Sequence, residues 1–125
     1  MQQIQKAEAL RMNGHYSFAV EAKGMVFVSG SFSTDPQTGE RKFGSVYEET
    51  TQALTNIELI VKQAGGDRYN IVKTTAYVCS MEDWAEVNRA YVDFFLDYKP
   101  ARTIVNAKEL HFGFKVEIEA QAVLG

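Results

Sequence analysis

The sequence predicts an α+β fold in which a mixed β-sheet carries two helices on one face. Two segments have helical periodicity with one apolar stripe each, and they alternate with β-prone segments in the order β-β-α-β-α-β-β. Two helices with one apolar stripe each can cover one face of a small sheet. The 125 residues, with a mass of 14.0 kDa, are expected to form a single domain over positions 1–125.

The first two strands are predicted to form a hairpin. Residues 17–22 and 25–29 are β-prone, and Lys23-Gly24 between them has the length and composition of a tight hairpin turn. The second segment is apolar on both sides from Met25 to Val28, which is typical of a central strand. A short additional strand near residues 2–7 is left as an alternative.

The first helix is predicted to begin at Ser45, because Ser45 and Glu48 have the spacing of a capping box. Gly65-Gly66 ends this helix, since glycine adopts the left-handed conformation at a helix end without steric strain. The apolar stripe of the helix consists of Ala53, Leu54, Ile57, Ile60, Val61 and Ala64.

The second helix is predicted to follow a cap at Ser80, with Asp83 three residues on, and to be stopped by Pro100. Its largely aromatic stripe is interpreted as core packing. The residues of this stripe are Trp84, Val87, Tyr91, Phe94, Phe95 and Tyr98.

Residues 71–79, 102–106 and 115–123 are the remaining predicted strands. Both helices are expected to pack on the same face of the sheet. The strand that is apolar on both sides predicts that the second face is also buried from water. Nothing in the rest of the chain is available to cover that face. The sequence therefore predicts self-association with further copies of the chain.

Composition and charge disfavour several classes of partner. The net charge is −3 and the basic residues are scattered, so the electrostatic footprint of a nucleic-acid-binding protein is absent. No apolar run approaches the ~20 residues of a membrane span, and no secretory leader is visible. We therefore expect no nucleic-acid partner and no membrane partner, and a cytoplasmic location.

The cysteine and histidine content indicates neither a disulfide nor a metal site. Cys79 is the single cysteine, which excludes an intrachain disulfide, and it is predicted to be a buried, inert thiol. His15 and His111 do not have ligand spacing with Cys79 or with each other. The sequence therefore predicts no metal and no cofactor.

Two charged residues are notable for their positions. Arg102 begins a predicted strand directly after Pro100-Ala101, and Glu117 lies in the middle of the closing strand. One interpretation is that Glu117 and Glu119 line a solvated face. If that face lies between subunits, Glu117 is partly buried and needs a partner. Arg102 has a planar donor fork that suits a carboxylate, either of a side chain or of a ligand.

Several short motifs together resemble those of the Rid/YjgF family. Residues 99–103 (K-P-A-R-T) are similar to its P-A-R-[ST] element, and residues 116–123 (V-E-I-E-A-Q-A-V) to its closing strand, with a fitting distance from Arg102 to Glu117. The other matches follow in order over nearly the whole chain: Gly14-His15-Tyr16, Val28-Ser29-Gly30, residues 35–39, residues 71–75 and Val87-Asn88 with Tyr91.

This resemblance implies a chorismate-mutase-like (YjgF-type) domain that forms homotrimers with ligand clefts between subunits. It implies a hydrolase without cofactor, which converts short 2-enamine or 2-imine acids, such as 2-aminoacrylate, into 2-keto acids and ammonia. By motif, Arg102 would bind the substrate carboxylate, and Glu117 would position or activate the attacking water.

The resemblance implies supporting roles for four further residues. Backbone groups of Gly30 and Ile104 would hold the substrate nitrogen and an oxygen. The ring of Tyr16 would close the pocket, and Ser29 would shape it.

The sequence departs from the family pattern at four positions. Ile104 stands where Cys, Ser or Thr is frequent, His15 and His111 stand where Pro is usual, and Ser31 stands where Gln is frequent. Ile104 would narrow and dry the pocket, which leaves the size of the substrate open. The alternatives are a non-catalytic trimeric module that binds small 2-keto or amino acids, another hydrolysis in the same cleft, and a ribonuclease role that the acidic composition disfavours.

Overall fold

The computed structural model of the protein describes residues 2–4 and 14–125. Its six strands are β1 (Gln2–Ile4), β2 (Ala19–Ala22), β3 (Met25–Ser31), β4 (Ile71–Val78), β5 (Ala101–Asn106) and β6 (Val116–Val123). Its two α-helices are α1 (Val46–Gln63) and α2 (Trp84–Phe95). Short 3-10 helices span Arg68–Asn70, Met81–Asp83 and His111–Gly113.

The strands form one mixed sheet in the order β1-β2-β3-β6-β4-β5. Every neighbouring pair is antiparallel except β4 and β5, which run parallel. A parallel pair needs a crossover connection, and α2 supplies it. The predicted α+β fold with a mixed sheet is confirmed, and the short additional strand of the sequence analysis is β1. Positions 5–7 of that predicted segment lie outside the described residues.

The hairpin of β2 and β3 turns at Lys23 and Gly24, as predicted. Both residues have positive φ, 53° and 80°, which matches the right-handed twist of the two strands. β3 pairs with β2 on one side and with β6 on the other, so the doubly apolar segment is an interior strand.

Helix α1 begins and ends where the sequence predicts. The Ser45 side chain accepts a hydrogen bond from the Glu48 backbone N–H at 3.1 Å, and the Ser45 N–H donates to the Glu48 carboxylate at 2.9 Å. At the other end, Gly65 has a φ of 103°, and the Gly66 N–H donates to the Val61 carbonyl. These two bonding patterns satisfy backbone groups that the helix itself leaves free.

Helix α2 differs from its prediction at both ends. Ser80 caps the 3-10 helix Met81–Asp83 instead of α2, by accepting a hydrogen bond from the Glu82 N–H. The helix ends at Phe95, before Pro100, because Leu96 adopts a φ of 57° that no α-helix can continue. Trp84 is 43% exposed, so it does not belong to the core stripe as predicted.

The two faces of the sheet have different environments. Both helices pack on one face, where alternate strand residues and the helix stripes form the core. The opposite face, here called the outer face, carries Met25, Phe27, Tyr77, Val105, Glu117 and Val123. Met25 and Phe27 are 36% and 41% exposed, respectively, in the single chain. The outer face is therefore accessible, with an apolar patch at Met25, Phe27 and Val123 and polar side chains over β4 and β6.

Candidate functional site

A β-bulge in strand β3 lies beside Glu117 of strand β6. Val28 pairs with Ala120 and Ser31 pairs with Ile118, so β3 uses one more residue than β6 over this stretch. The extra length falls at Ser29-Gly30. Such bulges bend a strand and redirect its side chains, and they are frequent next to functional sites.

Gly30 makes room for the Glu117 carboxyl group. A Cβ atom built on Gly30 would lie 2.9 Å from the carboxyl carbon of Glu117, which is closer than any ordinary contact. Only glycine therefore allows Glu117 to keep this position. The bulge and the lack of a side chain at Gly30 together leave room for an acidic group against the backbone of β3.

Burial raises the pKa of the Glu117 carboxyl above its usual range. The neighbouring negative charge of Glu119 raises this pKa further, whereas His111 lowers it. Perturbed pKa values of this kind, caused by burial and a neighbouring like charge, are frequent among groups that exchange protons in catalysis. The electrostatics of the site therefore suit proton transfer.

A cavity of about 430 Å³ opens over Glu117. Tyr16, Ser29 and Gly30 lie at its wall together with Glu117. The Ser29 hydroxyl donates to the Ser17 carbonyl at 2.8 Å, so it fixes the backbone leading to Tyr16. Tyr16 is 55% exposed and lies at the rim. Four of the six predicted site residues are thus neighbours.

Arg102 and Ile104 lie on the other face of the sheet. Strand β5 pairs Arg102 with Thr74 and Ile104 with Ala76, and both partners are buried beneath the helices. Glu117 pairs with Tyr77, on the outer face. A single copy of the chain therefore does not bring Arg102 and Ile104 to the Glu117 cavity.

The guanidinium group of Arg102 is held by aromatic rings. Its carbon lies 4.8 Å from the ring centroid of Tyr91 and 5.4 Å from that of Trp84. Within residues 14–125 Arg102 forms no salt bridge with a carboxylate. The Arg102 side chain instead lines a cavity of about 440 Å³ at the end of α2, together with Asn88. Arg102 is thus oriented by α2 and available to an anionic group from outside.

Cys79 is exposed, and the prediction of a buried thiol is wrong. Its Sγ lies 3.7 Å from the Phe114 carbonyl oxygen. Cys79 follows the last residue of β4, where the strand leaves the core, so its side chain reaches solvent although its strand is central.

No group of three or more His, Cys, Asp or Glu in the described part of the chain could hold a metal ion. No helix there is long and apolar enough to cross a membrane.

Sequence reasoning missed His111 and Phe32 as residues of the Glu117 cavity. In the sequence, His111 is distinguished only as a departure from a family motif. Its place at the cavity depends on the backbone of the 3-10 helix His111–Gly113, in which Phe112 has a φ of 62°. No local sequence pattern indicates that conformation for a phenylalanine.

Residues 6–124 match the family described as Endoribonuclease L-PSP. A RutC family protein of Aquifex aeolicus is 40% identical over 98% of this chain and 99% of its own length. The 2-iminobutanoate/2-iminopropanoate deaminase of Mus musculus is 42% identical over 90% of this chain and 83% of its own. Escherichia coli TdcF with bound serine superposes with a TM-score of 0.91 at 33% identity, over 100% of both chains. The chain therefore belongs to the Endoribonuclease L-PSP family, which is the Rid/YjgF family that its motifs resemble.

Proposed function

We propose that this protein hydrolyses short 2-imino or 2-enamino acids to 2-keto acids and ammonia. The observation that carries the proposal is the half-buried Glu117 carboxyl, which has a raised pKa and lies against Gly30 in an open cavity. The deaminase name of the mouse relative supports the same reaction class. A cytoplasmic location suits such a role in metabolite damage control.

The substrate is expected to bridge Glu117 and Arg102. A 2-imino acid carries a carboxylate beside an electrophilic C=N carbon, so it needs a cation at one end and an acid–base group at the other. Arg102 can bind the carboxylate through two parallel hydrogen bonds, and its contacts with Tyr91 and Trp84 restrain the fork.

We propose that a homotrimer completes the site. Because Arg102 and Glu117 lie on opposite faces of the sheet, the two residues of one site must come from two copies. The outer face, with its accessible apolar patch at Met25, Phe27 and Val123, is the surface through which copies would associate. Backbone groups of Gly30 in one copy and of Ile104 in the other would hold the substrate nitrogen and an oxygen.

The reaction needs only water and proton transfer. Glu117 accepts a proton from water as the water oxygen bonds to the imine carbon, and the C=N electron pair moves to nitrogen, which is protonated. The resulting carbinolamine loses ammonia as its C–O bond becomes a carbonyl. The atoms of imine and water are thereby converted into keto acid and ammonia, and no step calls for a cofactor. Activity should therefore survive dialysis against a chelator.

The test is to generate 2-aminoacrylate enzymatically and to measure pyruvate and ammonia with and without the protein. Wild type should accelerate their formation. Glu117→Gln should lower kcat by roughly 10²-fold or more, because an amide cannot accept the proton. Arg102→Lys should lose most of the activity and Arg102→Ala nearly all, because lysine keeps the charge without the fork. A folded Arg102→Ala variant with normal rates would contradict the proposal.

A non-catalytic binding module is the second candidate, because TdcF binds serine in a structure closely similar to this one. Such a module would bind small amino or keto acids through Arg102 and would not accelerate pyruvate formation. A ribonuclease, which the family description names, is disfavoured by the net charge of −3. Calorimetric binding of serine without turnover of 2-aminoacrylate would favour the binding module.

A further inference from the structure

We propose that His111 is a second acid–base group of this site, which exchanges protons with the substrate nitrogen while Glu117 exchanges protons with water. The inference rests on the proposed deaminase function and adds a division of labour to it. It concerns a residue to which the proposed roles of Arg102 and Glu117 assign no function.

His111 lies where it can reach a molecule held over Glu117. Its side chain lines the 430 Å³ cavity together with Glu117, and it also lines an adjoining cavity of about 310 Å³. Tyr16, Gly30 and Phe32 are common to the two cavities as well. His111 therefore stands at the junction of the two spaces, at the wall of the chamber that holds the carboxyl group.

A tilted ring contact restrains the exposed imidazole. The ring centroids of His111 and Phe112 are 3.6 Å apart, and the Arg41 guanidinium lies 3.5 Å from the Phe112 ring centroid. Phe112 adopts a φ of 62°, which is uncommon for a bulky residue. The local backbone thus accepts an unfavourable conformation that places the Phe112 ring between Arg41 and His111.

The charges around Glu117 favour a cationic partner. Glu119 lies two residues away on the same face of β6, and the Tyr77 hydroxyl donates to Glu119 at 2.7 Å. On the side of the 3-10 helix, His111 is the group whose charge acts on Glu117, and it lowers the Glu117 pKa against the effects of burial and of Glu119. On this side of the cavity, His111 is therefore the group that offsets the effects of burial and of Glu119 on the Glu117 carboxyl.

Two groups allow both proton transfers of each step to occur together. In the first step Glu117 takes a proton from water as the C–O bond forms, and protonated His111 gives a proton to nitrogen, which receives the C=N electron pair. In the second step Glu117 returns its proton to nitrogen and neutral His111 takes the hydroxyl proton. The C–N bond then breaks, the keto acid and ammonia leave, and both residues regain their starting states.

The test compares His111→Asn with His15→Asn, a control at the other histidine of the chain, in the pyruvate-release assay. His111→Asn should lower kcat by roughly 10²-fold and KM by much less, because general acid–base catalysis contributes about that much to the chemical step. The pH dependence of kcat should differ between His111→Asn and wild type, because one of the two acid–base groups is absent. Added imidazole should partly restore His111→Ala but not Glu117→Gln. His15→Asn should behave as wild type.

A readout independent of turnover separates this inference from the proposed function. The carboxyl carbon of Glu117, followed by NMR, should titrate at higher pH in His111→Asn than in wild type or His15→Asn. An unchanged titration, or an active His111→Asn variant with the wild-type pH profile, overturns the role of His111. A wild type that releases no pyruvate overturns the deaminase function itself, and the acid–base role with it.

Discussion

The Glu117 carboxyl group occupies the space that a side chain at position 30 would need. Gly30→Ala should therefore displace Glu117 from the cavity and lower kcat/KM by roughly 10-fold or more, since acid–base groups act only within hydrogen-bond reach. The fold should persist, because the side chain that must move ends in an open cavity. Steady-state rates and melting curves on the same samples would measure both effects.

Gly65→Ala is the matched control for this substitution. Gly65 has a φ of 103° and open space around it, so an alanine there meets backbone strain but no neighbour. We expect a loss of about 1–2 kcal/mol in the free energy of unfolding, with normal kcat/KM. If Gly30→Ala behaved in the same way, Gly30 would be a structural residue with no bearing on Glu117.

Replacement of Glu117 by glutamine should lower the activity and raise the stability of the protein. Its pKa is raised in the folded protein, so the folded state favours the protonated carboxyl, and this contribution is lost as pH rises through the folded pKa. Glu117→Gln should therefore melt above wild type at neutral pH. The difference should shrink as pH falls toward the ordinary glutamate value of 4.5. Melting temperatures from about pH 4 to about pH 8 would check this, with Glu40→Gln, at an exposed position away from the cavity, as the comparison variant.

At the residue scale, sequence reasoning oriented Glu117 correctly but could not orient Arg102. The alternation in the closing strand placed Glu117 on the face away from the core, and the structure agrees. That Arg102 faces the helices could not be read locally, because its direction depends on the parallel register of β5 with β4. The exposure of Cys79 and the place of His111 likewise depend on where neighbouring segments leave the sheet.

At the scale of elements, Arg68 ties together three separate parts of the chain. Its guanidinium donates to the buried Glu58 of α1 at 2.8 and 2.9 Å and to the Phe94 carbonyl of α2 at 2.6 Å. Burial would raise the pKa of Glu58, but the hydrogen bonds and charge of Arg68 outweigh it and lower that pKa. The two helices are thereby fixed relative to each other beneath the sheet.

Arg68→Ala should cost about 2–4 kcal/mol in the free energy of unfolding, because it leaves the Glu58 charge buried without its partner. Arg89 is a matched comparison, since its contact with Glu86 is 3.8 Å long and both side chains are exposed. Arg89→Ala should change the free energy by no more than about 0.5 kcal/mol. Urea denaturation would measure both, and equal costs would show that Arg68 acts as a surface residue.

The ends of a helix were predicted well where capping residues define them, as in α1. They were predicted poorly where the backbone conformation of one residue defines them, as at the end of α2. Ser45, Glu48 and the pair Gly65-Gly66 fixed both ends of α1, because caps of this kind act within one turn. The left-handed Leu96 ended α2 earlier than Pro100 would have done. That conformation belongs to a residue with no intrinsic preference for it, so tertiary packing must impose it.

At the scale of the whole molecule, the outer face is the feature that a single chain leaves exposed. Met25, Phe27 and Val123 form an accessible apolar patch on it. We expect the native protein to have three times the 14.0 kDa chain mass by light scattering. Phe27→Glu should shift it to monomers at micromolar concentration and abolish deaminase activity, because a charge at such a contact is desolvated without a partner.

Tyr69→Glu is the control for this prediction. Tyr69 is 54% exposed, but it lies in the 3-10 helix Arg68–Asn70 and not on the outer face. Tyr69→Glu should leave both the mass of the assembly in solution and the activity unchanged. A monomeric wild type with full activity would refute the shared site, because one copy does not bring Arg102 to the Glu117 cavity.

Because Arg102 and Glu117 lie on opposite faces of the sheet, mixing two variants of the protein should restore activity. Arg102→Ala and Glu117→Gln are both expected to be inactive, and each keeps the half of the proposed site that the other has lost. The two variants are unfolded together in equal amounts and reassembled. Each junction between subunits takes position 102 from one neighbour and position 117 from the other. Random mixing should therefore give both Arg102 and Glu117 at about a quarter of the junctions. Recovery of roughly that fraction of wild-type activity, absent from either variant treated alone, would be intersubunit complementation.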